Sequence, residues 1–312
     1  MNVIKEEISF PSVSGLADIS ALSYKPEDRS QIRAVFQIAH GMAEHKERYD
    51  KFCQKLAENG FAVYINDHLG HGKSIKTNDD LGYFGDKDGW KNFIEDCHQL
   101  LVIAKEQNPG KPYIFFGHSM GSFVCRAFTF KYHKELSGAV ICGTSGPNIG
   151  ASAGSGIALT TSKIKGDRHR STFIDNMAFG NYNKKFEGKT HFDWLTRDED
   201  EVQKYIDDPL CGFLFTANGY IDLFNLLNYV NSGDWFKNYP KDFPILIISG
   251  QEDPVGAFGK GVEKVKQNLE KQEKKDITMK LYEGGRHEIL NDRELFDTVV
   301  SDILSWSGPL LQ

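Results

Sequence analysis

A chain of 312 residues, 40% hydrophobic and 26% charged, can bury the core of one large α/β domain or two modest ones. Its net charge of −6 excludes the basic footprint of a nucleic-acid binder and gives an anionic membrane nothing to attract as a whole. No run reaches the roughly eighteen apolar residues of a spanning helix, and "MNVIKEEISF" has no signal-peptide pattern. The five cysteines, Cys53, Cys97, Cys125, Cys142 and Cys211, are odd in number and mostly set in apolar runs, so the expectation is a cytoplasmic protein with reduced thiols.

In chain order, "SFPSVSGLADISALSYKP" predicts two strands around a turn at Ser14-Gly15, and "IRAVFQIAH" a further strand ending at His40. "ERYDKFCQKLAENG" predicts a helix with Tyr49, Phe52, Cys53 and Leu56 on one face, stopped by Asn59-Gly60. The strand "FAVYIND" follows, and then "GWKNFIEDCHQLLVIAKEQ", a helix whose stripe includes Trp90, Phe93, Cys97 and Leu101. "PYIFFG" and "LSGAVICG" are strands on either side of the helix "MGSFVCRAFTFKYH". The same rhythm returns late: the strand "FPILIISG", a helix carrying Phe258, Val262, Val265 and Leu269, the strand "ITMKLYEGG", and a helix through Leu295, Phe296, Val299, Val300 and Ile303. Such alternation implies a mostly parallel sheet covered on both faces. Between 148 and 233 the rhythm breaks into small residues, charge and aromatics, which divides the chain into a core (1–147), an inserted cap (148–233) and the rest of the core (234–312).

Two stretches match G-x-S-x-G, around Ser119 and Ser152. A nucleophile elbow needs a strand, a sharp turn and a helix. Ser119 has "YIFF" before it, Gly117 and Gly121 around it and a helix directly after. Ser152 lies in "GASAG", some way past the nearest strand, and reads as a pliable connector. Ser119 is therefore the candidate nucleophile.

A serine hydroxyl needs a base, and the base an orienting acid. Of ten histidines only His287 follows the strand "FPILIISG", in the loop "YEGGRHEIL". Asp253 stands just past that strand's carboxyl end, with Glu252 as a weaker neighbour. Two amides should hold the oxyanion: that of Met120, after the nucleophile, and that of Met42 in "HGMAEH".

Together, "HGMAEHKERY", "DHLGHGKS", "GHSMG", "SGQEDPVG" and "YEGGRHE" resemble the monoacylglycerol lipase and lysophospholipase branch of the α/β-hydrolase family. The resemblance implies a serine esterase without metal or cofactor, with Ser119, Asp253 and His287 as triad, Met42 and Met120 as oxyanion amides, and a cap over an acyl-chain tunnel. The implied substrate is a monoacyl lipid or similar medium to long-chain ester. A cap of this kind could touch membrane surfaces transiently. The same triad also serves thioesterases and prolyl-aminopeptidase-type enzymes, and the fold can act as a non-catalytic receptor for a small apolar ligand. An acidic, amine-capturing pocket in the cap would favour the peptidase, and none is legible.

Several other features read as structural. His40, His45, His68 and His71 include an H-x-x-H spacing, but no further ligand stands at a matching interval, so they are read as loop-shaping residues. Glu44 and Arg48, four apart, look like a helix-surface ion pair. The aromatics of the cap should divide between its own small core and the lining of a groove.

Overall fold

The computed structural model describes residues 2–147, 149–186 and 188–311. Asn148, the first residue of the expected cap, lies outside the described residues. The chain opens with the hairpin β1 (Val3–Pro11) and β2 (Asp18–Pro26), then β3 (Ala34–Ala39), α1 (Asp50–Glu58), β4 (Phe61–Asn66), α2 (Trp90–Gln107), β5 (Tyr113–His118), α3 (Met120–Tyr132) and β6 (Gly138–Cys142). Five helices follow: α4 (Ile149–Lys165), α5 (Thr172–Phe179), α6 (Glu199–Asp207), α7 (Ala217–Val230) and α8 (Gly233–Asn238). The chain ends with β7 (Ile245–Gly250), α9 (Lys260–Glu270), β8 (Ile277–Tyr282) and α10 (Phe296–Ser307).

The strands form one eight-stranded sheet in the order β1-β2-β4-β3-β5-β6-β7-β8. Pairing is antiparallel at β1/β2 and β2/β4 and parallel elsewhere. The central strands are apolar on both sides because both sides are covered. Val35, Phe115, Ile141 and Ile247 meet α2, α3 and α9, while Phe36, Phe116, Val140 and Ile248 meet α1 and α10. This is the α/β-hydrolase fold, with carboxyl ends of β3, β5, β7 and β8 gathered at one edge.

Two expectations are corrected. "GASAG" is not a connector: it forms the first turns of the 17-residue helix α4. Its small residues let α4 lie close against α7, where a Cβ on Gly154 would come within 2.9 Å of the Phe224 ring. Ala158 is fully buried, and Ser155 Oγ donates to Asn225 Oδ1 at 3.1 Å. Tertiary packing outweighs the poor helix propensity of glycine. Phe258 is not on α9 either: Ala257, Phe258 and Gly259 all have positive φ (51°, 56° and 86°), which turns the chain before the helix starts at Lys260. Among the described residues no helix is long and apolar enough to cross a membrane.

Candidate active site

Ser119 stands between β5 and α3 with φ 54° and ψ −121°, a strained backbone for a residue with a side chain. The flanking glycines allow the close crossing: a Cβ on Gly117 would lie 2.0 Å from the Gly121 carbonyl oxygen, and one on Gly121 would lie 2.1 Å from that of Ala39. The turn delivers Ser119 to a cavity of ≈640 Å³.

Asp253 and His287 arrive from β7 and β8. Asp253 is fully buried just past β7 and His287 nearly so past β8, with His287 Nδ1 3.0 Å from Asp253 Oδ1. Asp253 also accepts from the Val255 amide at 2.8 Å and Ser249 Oγ at 3.1 Å. Burial pushes its carboxyl up, but the facing imidazole and these donors outweigh burial and hold it below the usual range. Glu252 is exposed. Because Asp253 engages Nδ1, the other ring nitrogen of His287 is left for the cavity, which Ser119 and His287 both line. Among the described residues no hydrogen bond joins Ser119 Oγ to the ring, a contact that such pairs often close only when substrate arrives.

Met42 and Met120 line the same cavity. As the first residue of α3, Met120 has no intrahelical acceptor for its amide. Among the described residues the Met42 amide likewise has no backbone acceptor. Its loop presses on the serine: a Cβ on Gly41 would lie 3.2 Å from Ser119 Cβ.

Beneath this loop lies a buried network that sequence spacing concealed. Glu44 and Arg48 are not a surface pair; both side chains are almost wholly buried. Glu44 accepts from the Gly41 amide and from Tyr49 OH (2.8 Å), and Arg48 Nη1 reaches its other oxygen at 2.5 Å. Arg48 also makes a bidentate bond to Glu288, both distances 2.7 Å. Tyr49 OH meets His118 Nδ1 at 3.0 Å, and His118 Nε2 lies 3.2 Å from the His287 carbonyl oxygen. Burial disfavours charge on His118, yet the Glu44 carboxylate outweighs it and raises its pKa. The network joins the loop before Met42, the residue before Ser119 and the loop of His287. Only the four-residue spacing of Glu44 and Arg48 hinted at it.

The other histidines divide. His40, His68 and His71 are fully buried with rings 4.4–6.2 Å apart, and burial pulls His40 and His71 down to about 3, so they are neutral. His40 shapes the loop through the Gly41 carbonyl (2.8 Å) and the His68 amide (3.0 Å). His45 instead turns to the residues after α6, with Nδ1 2.9 Å from Glu47 and Nε2 2.8 Å from Asp208.

The cavity roof comes from the residues between β6 and β7. Phe179, Trp194, Phe213 and Phe224 line it, whereas Phe215 and Tyr220 are buried in the core and Phe173 is exposed. Phe186 lies under the Arg286 guanidinium. These aromatics thus divide between the cavity lining and the main core of the molecule, while a separate small cluster forms around Leu195, Tyr205 and Cys211 with Phe192 and Trp194. One acid had no sequence signal: Asp175 lines the cavity and accepts from Tyr220 OH at 2.7 Å.

The family profile described as "serine aminopeptidase, S33" matches residues 30–294. The chain is 27% identical over 308 residues to a monoacylglycerol lipase of Mycolicibacterium smegmatis, covering 97% of this chain and 96% of that protein. It is 25% identical over 277 residues to the monoglyceride lipase of Rattus norvegicus, covering 88% and 82%. Among solved structures, a thermostable carboxyl esterase from Bacillus coagulans, in complex with glycerol, superposes with a TM-score of 0.92 at 32% identity over 99% of both chains. A soluble variant of the Saccharomyces cerevisiae monoglyceride lipase gives 0.77 at 21% identity over 98% and 94%, a likeness of fold. With its sheet and most of its length thus matched, the chain belongs to the serine aminopeptidase, S33, family of α/β hydrolases and is monoacylglycerol lipase-like.

Proposed function

We propose that this hydrolase is a serine carboxylic ester hydrolase acting on a monoacyl lipid, a monoacylglycerol or lysophospholipid, through an acyl-enzyme. The observation that carries the reading is the buried Asp253–His287 pair, 3.0 Å apart, with His287 lining the same cavity as Ser119. Ser119 Oγ attacks the ester carbonyl as its proton passes to His287. The amides of Met42 and Met120 take the charge on the carbonyl oxygen. Asp253 keeps His287 in one tautomer and stabilises the imidazolium. His287 then protonates the departing alkoxide and an alcohol leaves. Water attacks the acyl-serine, losing its proton to His287, which returns it to Ser119 as the carboxylic acid departs.

In this reading residues 148–233 are a cap whose aromatics hold the acyl chain. Leu159, Ile164, Phe173 and Met177, exposed on α4 and α5, give it an apolar outer face for transient membrane contact. Five free, buried cysteines support a reducing, cytoplasmic setting.

An aminopeptidase reading has Asp175 in its favour, since an acid in the cavity is what an amine-terminal substrate would need. A side-by-side panel of monoacylglycerols, lysophospholipids, short esters and aminoacyl amides separates the two. Monoacyl lipids should turn over fastest, and Ser119→Ala should lower that rate at least about 10³-fold with the fold intact. A fluorophosphonate should label Ser119 alone, and Ser152→Ala should leave turnover nearly unchanged. Preference for aminoacyl amides would replace the lipase reading, and full activity in Ser119→Ala would remove the elbow assignment.

A further inference from the structure

We propose that His45, Asp208 and Cys211 form a divalent-cation site, suited to Zn²⁺, between the loop of Met42 and the cap. The ligand-bearing atoms of the three side chains all lie within 4.8 Å of one another. His45 lies 163 and 166 positions before Asp208 and Cys211, so no local spacing joins it to them. Nitrogen, carboxylate oxygen and thiolate sulfur are the donors zinc takes. A tetrahedral ion with bonds of about 2.0–2.3 Å sets its donors roughly 3–4 Å apart, so the trio needs only a small adjustment to close on it. A soft sulfur beside an imidazole disfavours Mg²⁺ and Ca²⁺, which prefer oxygen alone.

The surroundings hold each donor in place. Glu47 takes His45 Nδ1 at 2.9 Å, which aims Nε2 at the site and is the carboxylate–histidine support common around zinc. The Leu210 amide holds Asp208 Oδ1 at 2.8 Å, leaving Oδ2 to face His45. The Cys211 amide donates to the Asp208 carbonyl at 3.0 Å, closing the turn that carries both donors, and the Gly212 amide donates to the Ala43 carbonyl at 2.9 Å, which ties that turn to the loop of Met42. His45 and Cys211 are nearly buried, while the Asp208 and Glu47 side chains are 32% exposed and leave a path for the ion. Three protein ligands leave a fourth position for water. On binding, the thiol proton and any proton on His45 Nε2 go to solvent, and Zn–S, Zn–N and Zn–O bonds form. The ion then links the segment after Met42 to the segment after α6. This site is independent of the substrate assignment.

The test uses the full chain, freed of metal by a chelator and titrated with Co²⁺ and then Zn²⁺. Wild type should bind one Co²⁺ with a thiolate-to-cobalt charge-transfer band, which one equivalent of Zn²⁺ abolishes. Zn²⁺ should also raise the melting temperature. Cys211→Ser should lose the band, and Asp208→Asn should weaken binding by 10-fold or more. Cys97→Ser should leave the band in place. Glu47→Gln, a positioning change, should weaken binding roughly 10–100-fold. Circular dichroism checks each variant's fold, and Asp208→Asn carries the test if Cys211→Ser does not fold. No band in wild type, a band that survives Cys211→Ser, or Co²⁺ affinity unchanged in Asp208→Asn overturns the proposal.

Discussion

At the scale of single residues, the site depends on charges buried where they cannot be left alone. Arg48 faces two carboxylates, Glu44 and Glu288, with little solvent to share the load. In such a place the removal of one partner matters more than the pair's net worth, because an uncompensated charge stays behind. Arg48→Met should therefore cost about 3–5 kcal/mol, read by urea unfolding. It should also lower kcat for any ester, since Glu44 holds the loop of Met42 through the Gly41 amide. Unchanged stability would mean that the two acids share a proton. Ser119, Asp253 and His287 were legible as candidates because an elbow, a strand end and a late loop each leave a local mark in the sequence. Arg48–Glu288 and His45–Asp208 were not, because partners 240 and 163 residues apart meet only when the sheet brings their loops together.

At the scale of elements, helices packed on the sheet were readable from their stripes, whereas α4 was hidden by its lack of bulk. The same helix offers an internal comparison. A Cβ on Gly156 would meet nothing within 4 Å, so Gly156→Ala should stabilise by about 0.5–1 kcal/mol. A Cβ on Gly154 would press on the Phe224 ring, which lines the cavity. Gly154→Ala should forfeit that gain and shift ester preference toward shorter acyl chains. Equal gains in thermal melts would show that Phe224 moves freely. On α2, fully buried Asp96 takes the Val13 amide (2.8 Å) and Ser12 Oγ (2.9 Å), pinning the β1–β2 turn. Burial raises its pKa to about 6, above the ~3.9 of an unfolded aspartate. The folded state thus holds the proton more tightly, and this contribution to stability, full below pH ~4, is lost as pH rises through 6. Asp96→Asn should gain on wild type by up to about 3 kcal/mol between pH 4 and 7. A constant gap in denaturation curves across that range would contradict the assignment.

At the scale of the whole molecule, the long excursion between β6 and β7 must leave and rejoin the core without loosening Ser119. Arg126 supplies the join. It is fully buried on α3, two turns after the serine, and has no carboxylate partner among the described residues. Its guanidinium donates to the Ser145 carbonyl at 3.1 Å where the excursion leaves β6. It also donates to the Val230 carbonyl and to Asn231 Oδ1 (3.0 Å) where α7 ends. The free carbonyls at the end of α7 suit a cation. Trp235 covers the charge at 4.5 Å and donates its indole N–H to the Arg126 carbonyl at 3.2 Å. One side chain thus fastens both ends of the excursion to the helix that begins beside Ser119. Arg126→Leu would keep the apolar bulk and strand those acceptors, each worth about 1–3 kcal/mol when buried without a donor. Relief from burying an unpaired charge offsets part of this, which puts the net loss at roughly 2–4 kcal/mol. The loss should be local. Amide exchange should quicken at Thr144–Gly146 and across Val230–Ser232 while β3 and α1 keep their protection, and ester turnover should fall with the fold retained. Exchange that rises evenly along the chain would reduce Arg126 to a filler of the core.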